Sequence, residues 1–572
     1  MIKSNIIFSS LKRIYKVLPI SFRKKSVLVL FLLLINSILE VAGLASILPL
    51  LTILLKENII HTNEKISFFY NLFDFTNDNL FIVFIAGIVV VIIIIKNIFS
   101  LIISRYQITF SFSIMENFAL RLHKLYYKKG FIYFKQNNSN FILRDTFGIP
   151  QRFASSLVMG IINLLNEFIV LILILIGIIL YSPGALMIIS FTMMPVFLIS
   201  YKLTKNKIKK IGEEINEVVP ELNRSLVESV FGYVDVIISG TFIFFYNKIK
   251  NKIKPYTNLR VKRSVFNLAP TKIIESSMVF SIFVIIFYGL FFMPEKENLI
   301  SLIGIYILAA YRIMPSINRI AVALNRITEN QYNFDVIEQL NIEKNLNNKN
   351  NLKEINFNNE ISLENVNFKY PDAKENILTN YNLKIKKGEI VGIIGKSGKG
   401  KTTLINILLG FLEINSGKLE IDNVKLDKNT INDWQKKLAY VQQEVYLLDA
   451  SFAENIAFGL DKKEIDYDKL KKVVKSAGLE DFVIQLQEGL HSNVGQRGSK
   501  LSGGQRQRIG IARALYFGAE VLFFDEATSS LDIETEKKII KSIEKLSEKG
   551  LTMIIVAHRE STLKSVDRII KI

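Results

Sequence analysis

The stretch Ile390-Val-Gly-Ile-Ile-Gly395-Lys-Ser-Gly-Lys-Gly400-Lys401-Thr402-Thr403 joins a β-branched apolar run to a glycine-rich turn and then to the helix-forming run 403–409. Residues 390–394 read as a buried strand, and the turn fits the spacing G-x-x-x-x-G-K-[ST]. Gly395, Gly398 and Gly400 carry no Cβ, so backbone N–H groups there can wrap a phosphate. Lys401 can then reach the β- and γ-phosphates, and the Thr402 hydroxyl can bind Mg²⁺. The expected ligands are ATP and Mg²⁺.

Downstream residues extend this reading. The apolar strand Val521-Leu-Phe-Phe-Asp525-Glu526 ends in two carboxylates. Asp525 is placed to hold Mg²⁺ through water, and Glu526 to act as the general base that polarises water toward the γ-phosphate. Leu501-Ser502-Gly503-Gly504-Gln505 opens the helix-like run 506–515 and exposes N–H groups at a helix start, a second anion-binding surface. One nucleotide is not expected to use both surfaces within one domain, so ATP is expected between two domains of a dimer. His558 follows the apolar strand 553–557 in a position suited to sensing the γ-phosphate. Tyr370 follows the strand-like run 366–369; it could stack on adenine or simply pack.

The rest of the chain is of another kind. Of 572 residues, 50% are hydrophobic and none is cysteine, which excludes disulfides, thiolate metal sites and a cysteine nucleophile. A mean hydropathy of +0.29 is too high for an ordinary soluble enzyme. Six apolar stretches, near 27–55, 80–103, 157–181, 185–203, 273–293 and 299–323, reach the roughly 20 residues that span a bilayer as helix. The first is too long for a cleaved leader and reads as an uncleaved anchor. Lys and Arg crowd the segments before the first span, between the second and third, and between the fourth and fifth; the alternate segments are poor in them. That asymmetry predicts both termini and the ATP-binding domain in the cytosol. Much of the net charge of +20 is therefore topological and does not point to nucleic acid.

The two long basic segments keep helical apolar spacing and read as extensions of the spans, reversing near 138–146 and 225–240. In the outer loop 58–78, Ile66, Phe69, Tyr70 and Phe73 fit either a short helix in the membrane interface or an apolar loop packed on the bundle. Glu40, Lys96, Glu167, Glu275, Arg312 and Arg319 lie within or beside the spans. Because a charge facing lipid costs about 2.5–3.5 kcal/mol, they are expected to face an interior. They either pair with one another or leave a cationic cavity, with Lys96, Arg312 and Arg319 as its candidates. Residues 1–326 are thus expected to form the membrane domain, 327–358 a linker that leads into an Asn-, Lys- and Glu-rich stretch at 341–360, and 359–572 an α/β ATP-binding domain.

Together these residues resemble the ATP-binding cassette transporter family over essentially the whole chain, with 501–505 as the family's signature sequence. The resemblance implies a Walker A loop of Gly395, Ser397, Gly398, Gly400, Lys401, Thr402 and Thr403. It also implies adenine stacking by Tyr370, a Q-loop glutamine at Gln443 that reaches Mg²⁺, and Asp525 as the Walker B carboxylate. Glu526 is then the catalytic base, Asp532 belongs to the D-loop, His558 is the switch histidine, and Ser502, Gly503, Gly504 and Gln505 cover the partner's nucleotide. The implied fold is an all-α six-helix transmembrane domain with long cytosolic extensions, followed by an α/β P-loop ATPase domain. The implied assembly is an exporter homodimer in a bacterial inner membrane. Two departures bear on coupling: Gln442 stands where the family often has proline, and Gln496 where exporters usually carry glutamate. The segment Ala310-Tyr-Arg312-Ile-Met-Pro315-Ser-Ile-Asn318-Arg319 resembles that of bacterial lipid-linked oligosaccharide flippases. That resemblance implies that Arg312 and Arg319 engage the diphosphate of a polyprenyl carrier in protein glycosylation, with Lys96 replacing an arginine. Other expected readings are an exporter of another lipid, peptide or drug, and an ATP-gated regulator that transports nothing.

Overall fold

The structure, a computed structural model, describes residues 6–55, 59–181, 183–292, 296–340, 354–371, 373–396, 398–525, 550–557, 563 and 566–572. The chain divides into two units, one of residues 1–129 with 137–347 and one of 130–136 with 348–572.

The first unit is helical. It runs through α1 (Ile6–Val17), α2 (Ile20–Ala45), α3 (Ile47–Leu55), α4 (Ile59–Thr62), α5 (Glu64–Leu72) and α6 (Asp78–Lys128). After α7 (Gly130–Gln136), which belongs to the other unit, come α8 (Ser139–Leu143), α9 (Ile149–Arg152), α10 (Met159–Tyr181) and α11 (Pro183–Phe231). The series closes with α12 (Tyr233–Ile238), α13 (Phe242–Phe292), α14 (Lys296–Glu329) and α15 (Tyr332–Glu338). Among the described residues, four helical runs are long and apolar enough to cross a membrane: Ile20–Leu54, Asp78–Lys128, Ser139–Ile179 and Phe242–Phe287. The other two expected spans fall on α11 and α14, where many side chains lie outside the described residues.

At about 1.5 Å per residue, the 51-residue α6 is more than twice as long as the ~30 Å hydrocarbon layer is thick. Its far end therefore has to project into water, as the basic extensions of the sequence require. Val83, Val90, Val91, Ile94, Ile98 and Leu101 stay exposed along its apolar half, a surface that only lipid can cover at low cost. The first reversal comes earlier than 138–146. The chain turns at Gly130, and Asn138 caps α8 by accepting a hydrogen bond from Asn140 N at 2.9 Å. Helix then continues through two π-helical segments, Arg144–Gly148 and Phe153–Val158. Pro150 lies between them, and its missing N–H removes one rung of the α-helical ladder there. The second reversal, at α12, falls within 225–240. Beyond it, Lys248 bridges to Glu228 at 2.6 Å and Lys252 to Glu221, pinning α13 against α11.

In the outer loop, Asn63 caps α5 through Lys65 N and Ile66 N. Tyr70 is buried against Phe81 and Phe75, while Phe68, Phe69, Leu72 and Phe73 are exposed. The segment is thus a short helix with Tyr70 packed inward and Phe69 and Phe73, expected on the same face, left exposed.

The second unit contains two sheets. Strands β1 (Glu360–Phe368), β2 (Leu378–Lys386), β4 (Ser416–Ile421) and β5 (Val424–Lys425) form an antiparallel sheet in the order β2-β1-β4-β5. Strands β3 (Ile390–Ile394), β6 (Leu438–Val441), β7 (Val521–Asp525), β8 (Thr552–Val556) and β9 (Arg568–Lys571) form a parallel sheet in the order β6-β7-β8-β3-β9. Helix α16 (Lys401–Leu408) covers one face, together with Val391, Ile393, Val521 and Phe523. Helix α17 (Ile431–Lys436) carries the only tryptophan of the chain, Trp434, fully buried, whose Nε1 donates to Leu408 O at 2.8 Å. That carbonyl belongs to the last turn of α16 and has no partner further along the helix. Trp434→Phe should strand it and lower the stability of this unit by about 1–3 kcal/mol, seen as an earlier circular-dichroism melt.

Candidate functional site

Every strand of the parallel sheet runs the same way, so the sequence motifs leave it at one edge. The glycine-rich turn follows β3, Gln443 follows β6 and is exposed, and Asp525 ends β7. This is where open α/β sheets bind ligands. Within the turn, Gly398 and Gly400 have φ of +82° and +97°, and a Cβ on Gly400 would lie 2.7 Å from Ile377 Cγ2. A side chain there meets both backbone strain and a clash. Lys401 is buried, and its Nζ donates to Gly395 O at 2.8 Å and to Lys396 O at 3.2 Å, folding the ammonium across the inside of the loop. Thr402 is exposed at the first turn of α16 while Thr403 is buried. The Tyr370 hydroxyl lies 3.4 Å from Thr403 Oγ1, and its ring meets Phe368 edge-on at 5.1 Å.

Alternation along β7 decides which way Asp525 faces. Val521 and Phe523 pack with α16, whereas Leu522 and Phe524 pack in the core on the other face. Asp525 continues the first series, toward the side of the phosphate loop. The carboxylate is buried, and Tyr440 Oη donates to its Oδ2 at 2.9 Å. Burial, with Asp525 beside it, pushes the Tyr440 phenol well above its ordinary range, so it stays protonated and can donate. An exposed hydroxyl and a buried carboxylate are the hard oxygen donors that Mg²⁺ takes.

The Ser502 segment is a capped helix start. Ser502 caps α18 (Gly503–Phe517) in a reciprocal box: Gln505 N donates to Ser502 Oγ at 3.2 Å, and Ser502 N donates to Gln505 Oε1 at 2.8 Å. Ser502 is exposed and Gly503 half-buried, whereas Gly504 is buried. Gln505 therefore shapes the turn. Farther along α18, Arg513 donates to Asn455 O at 3.0 Å and to Tyr446 O at 3.2 Å; burial lowers its pKa to about 10. Ahead of the signature, Gln496 sits in a turn where Arg497 takes φ +52° between Gly495 and Gly498. Ser397, Glu526, Asp532 and His558 lie outside the described residues.

In the helical unit the membrane charges are largely paired. Arg312 pairs with Glu40, and Arg319 Nε lies 3.0 Å from Glu167 Oε1. Lys272 holds Glu275 at 2.8 Å. Lys96 lies over Gly43 on α2, so close that a Cβ there would be 2.6 Å from Lys96 Cδ. Gly43 is one turn from Glu40, so Lys96 and Arg312 both approach the same stretch of α2. The three expected cations therefore come with two acidic partners.

Residues 378–529 match a family model described as ABC transporter. The chain is 43% identical over 201 residues to an "ATP-dependent lipid A-core flippase" of Ralstonia nicotianae, 35% of this chain and 34% of that one. It is likewise 43% identical over 198 residues to the protein of that name from Francisella novicida, again 35% of this chain and 33% of the relative. These similarities span only about a third of either relative's length. A solved bacterial Atm1-family ABC exporter with ATP bound superimposes with a TM-score of 0.76 over 96% of this chain and 94% of that chain, at 20% identity. The fold is that of an ABC exporter. The expected fold class stands: a helical transmembrane domain followed by an α/β ABC nucleotide-binding domain.

Two features of this exporter fold have no signal in the sequence. Tyr440 reaches Asp525 only because β6 and β7 pair in register, Tyr440 opposite Phe523. The partners of Arg312 and Arg319 come from α2 and α10, far off in the chain. Charge alone marks Glu40 and Glu167 as unusual but cannot say which cation each one meets.

Proposed function

We propose that this chain is one half of a homodimeric exporter that hydrolyses ATP to carry a polyprenyl-diphosphate-linked oligosaccharide from the cytoplasmic to the outer leaflet of a bacterial inner membrane. The observation that carries the ATPase reading is the convergence of Lys401, Thr402 and Asp525 at one edge of the parallel sheet. In this reading Thr402, Asp525 and Gln443 hold Mg²⁺, whose charge offsets that of the phosphates. The loop's N–H groups and Lys401 bind the phosphates, Tyr370 stacks on adenine, Glu526 takes a proton from water, and His558 senses the γ-phosphate.

Dimerisation follows from Ser502 and Gly503, which open onto the surface at a helix start and would cover a partner's nucleotide. The apolar face of α12 and its flanks supports it: Phe231, Val234, Ile237, Ile238 and Phe242 are all more than half exposed, a surface one copy leaves uncovered. The load rests on Lys96, Arg312 and Arg319 and on their match to the flippase segment. A lysine in place of an arginine keeps the charge but gives up two-pronged phosphate binding. A second reading, a lipid A-core as cargo, is supported by the names of the relatives. Both cargoes belong to one class, acidic glycolipids.

The deciding experiment measures ATPase activity of the full chain in vesicles with a polyprenyl-diphosphate glycan, its dephosphorylated form, or lipid A-core. Stimulation by the first alone is expected. Stimulation by lipid A-core alone would transfer the proposal to that cargo, and indifference to all three would favour a regulator. In parallel, Glu526→Gln should bind ATP and dimerise without turnover; ordinary turnover in that variant would remove Glu526 as the base.

A further inference from the structure

We propose that Tyr440 is a positioning residue for the nucleotide's metal, one that fixes the orientation of the Asp525 carboxylate through its hydroxyl; this rests on the reading of Asp525 as a metal-site carboxylate. The geometry comes from the sheet. Because β6 and β7 are parallel and Tyr440 stands opposite Phe523, its ring lies on the same face as Phe523 and Asp525. A tyrosine is long enough to cover the two-residue offset along the neighbouring strand, and the hydroxyl arrives 2.9 Å from Oδ2. The ring itself is anchored, half-buried against the core that includes Phe523 and α16. Asp525 sits at the end of a wholly buried strand. Between a fixed donor and a fixed backbone, the carboxylate has little freedom to rotate. A bond between a neutral donor and a carboxylate is strong. Outer partners of this kind fix the direction of a metal-site oxygen and are worth about 10–100-fold in metal affinity.

The test is the affinity of Mn²⁺ for the nucleotide complex of the full detergent-solubilised chain, read by electron paramagnetic resonance, for the native chain, Tyr440→Phe and Asp525→Asn. Phenylalanine keeps the ring and removes only the hydroxyl. Tyr440→Phe should weaken Mn²⁺ binding by about 10-fold or more while nucleotide affinity in EDTA stays within about twofold. Mn²⁺ affinity equal to the native chain's would overturn the proposal. So would an equal loss of nucleotide binding with and without metal, the mark of a purely structural role. Asp525→Asn separates the two layers: if it too binds Mn²⁺ normally, the metal-site reading of Asp525 fails, whereas a loss there beside a normal Tyr440→Phe sinks only the role of the tyrosine.

Discussion

Lys401→Ala is expected to lower ATP turnover by about 10²–10³-fold, the usual cost of removing a preorganised donor from charge that develops in a transition state. Two effects combine in this variant. The ammonium that would reach the phosphates is lost. So are its bonds to Gly395 O and Lys396 O, which hold the loop closed around the place the phosphates take. ATP affinity should therefore fall together with the rate. This separates it from Glu526→Gln, where binding is expected to persist without turnover. Phosphate release and nucleotide binding on the purified full chain measure both, and a Lys401→Ala protein with native turnover would remove the loop from the catalytic site.

Arg319→Ala is expected to destabilise the membrane domain by about 3 kcal/mol, the lower end of what breaking a buried ion pair costs. Glu167 is the reason: its side chain is 4% exposed, and loss of Arg319 leaves its carboxylate without the charge that faces it. The arginine is itself 46% exposed, so water offsets part of the effect. The paired neutral variant Glu167→Gln with Arg319→Gln should recover most of the melting temperature. If it does so without recovering stimulation by the diphosphate lipid, the cation serves the cargo as well as the fold. An Arg319→Ala protein that melts with the native one would show that the pair does not hold the bundle.

Much of the architecture was legible because it depends on local chemistry. The run 390–394 and its glycine turn carry a strand, a tight loop and a helix start within a dozen residues. The capping box of Ser502 and Gln505 is likewise a matter of spacing. Apolar length alone announces the membrane helices, because a bilayer imposes one length on all of them. The first reversal begins ahead of 138–146, at Gly130, because a single glycine is a weak marker in a long polar run. Pro150, a stronger marker, is absorbed by π-helical segments instead of ending the helix.

By itself the sequence determined the class of the chain: helices that need a lipid bilayer, then a sheet whose turns gather phosphate-binding groups. Each of those conclusions follows from neighbours in the chain, where spacing is geometry. Only the tertiary structure decided which distant groups meet. It gave Arg312 to Glu40, Arg319 to Glu167, and the hydroxyl of Tyr440 to Asp525. The physical reason is that helix packing and strand register bring together groups from remote parts of the chain. A charge or a hydroxyl carries no mark in its own sequence of the partner it will find.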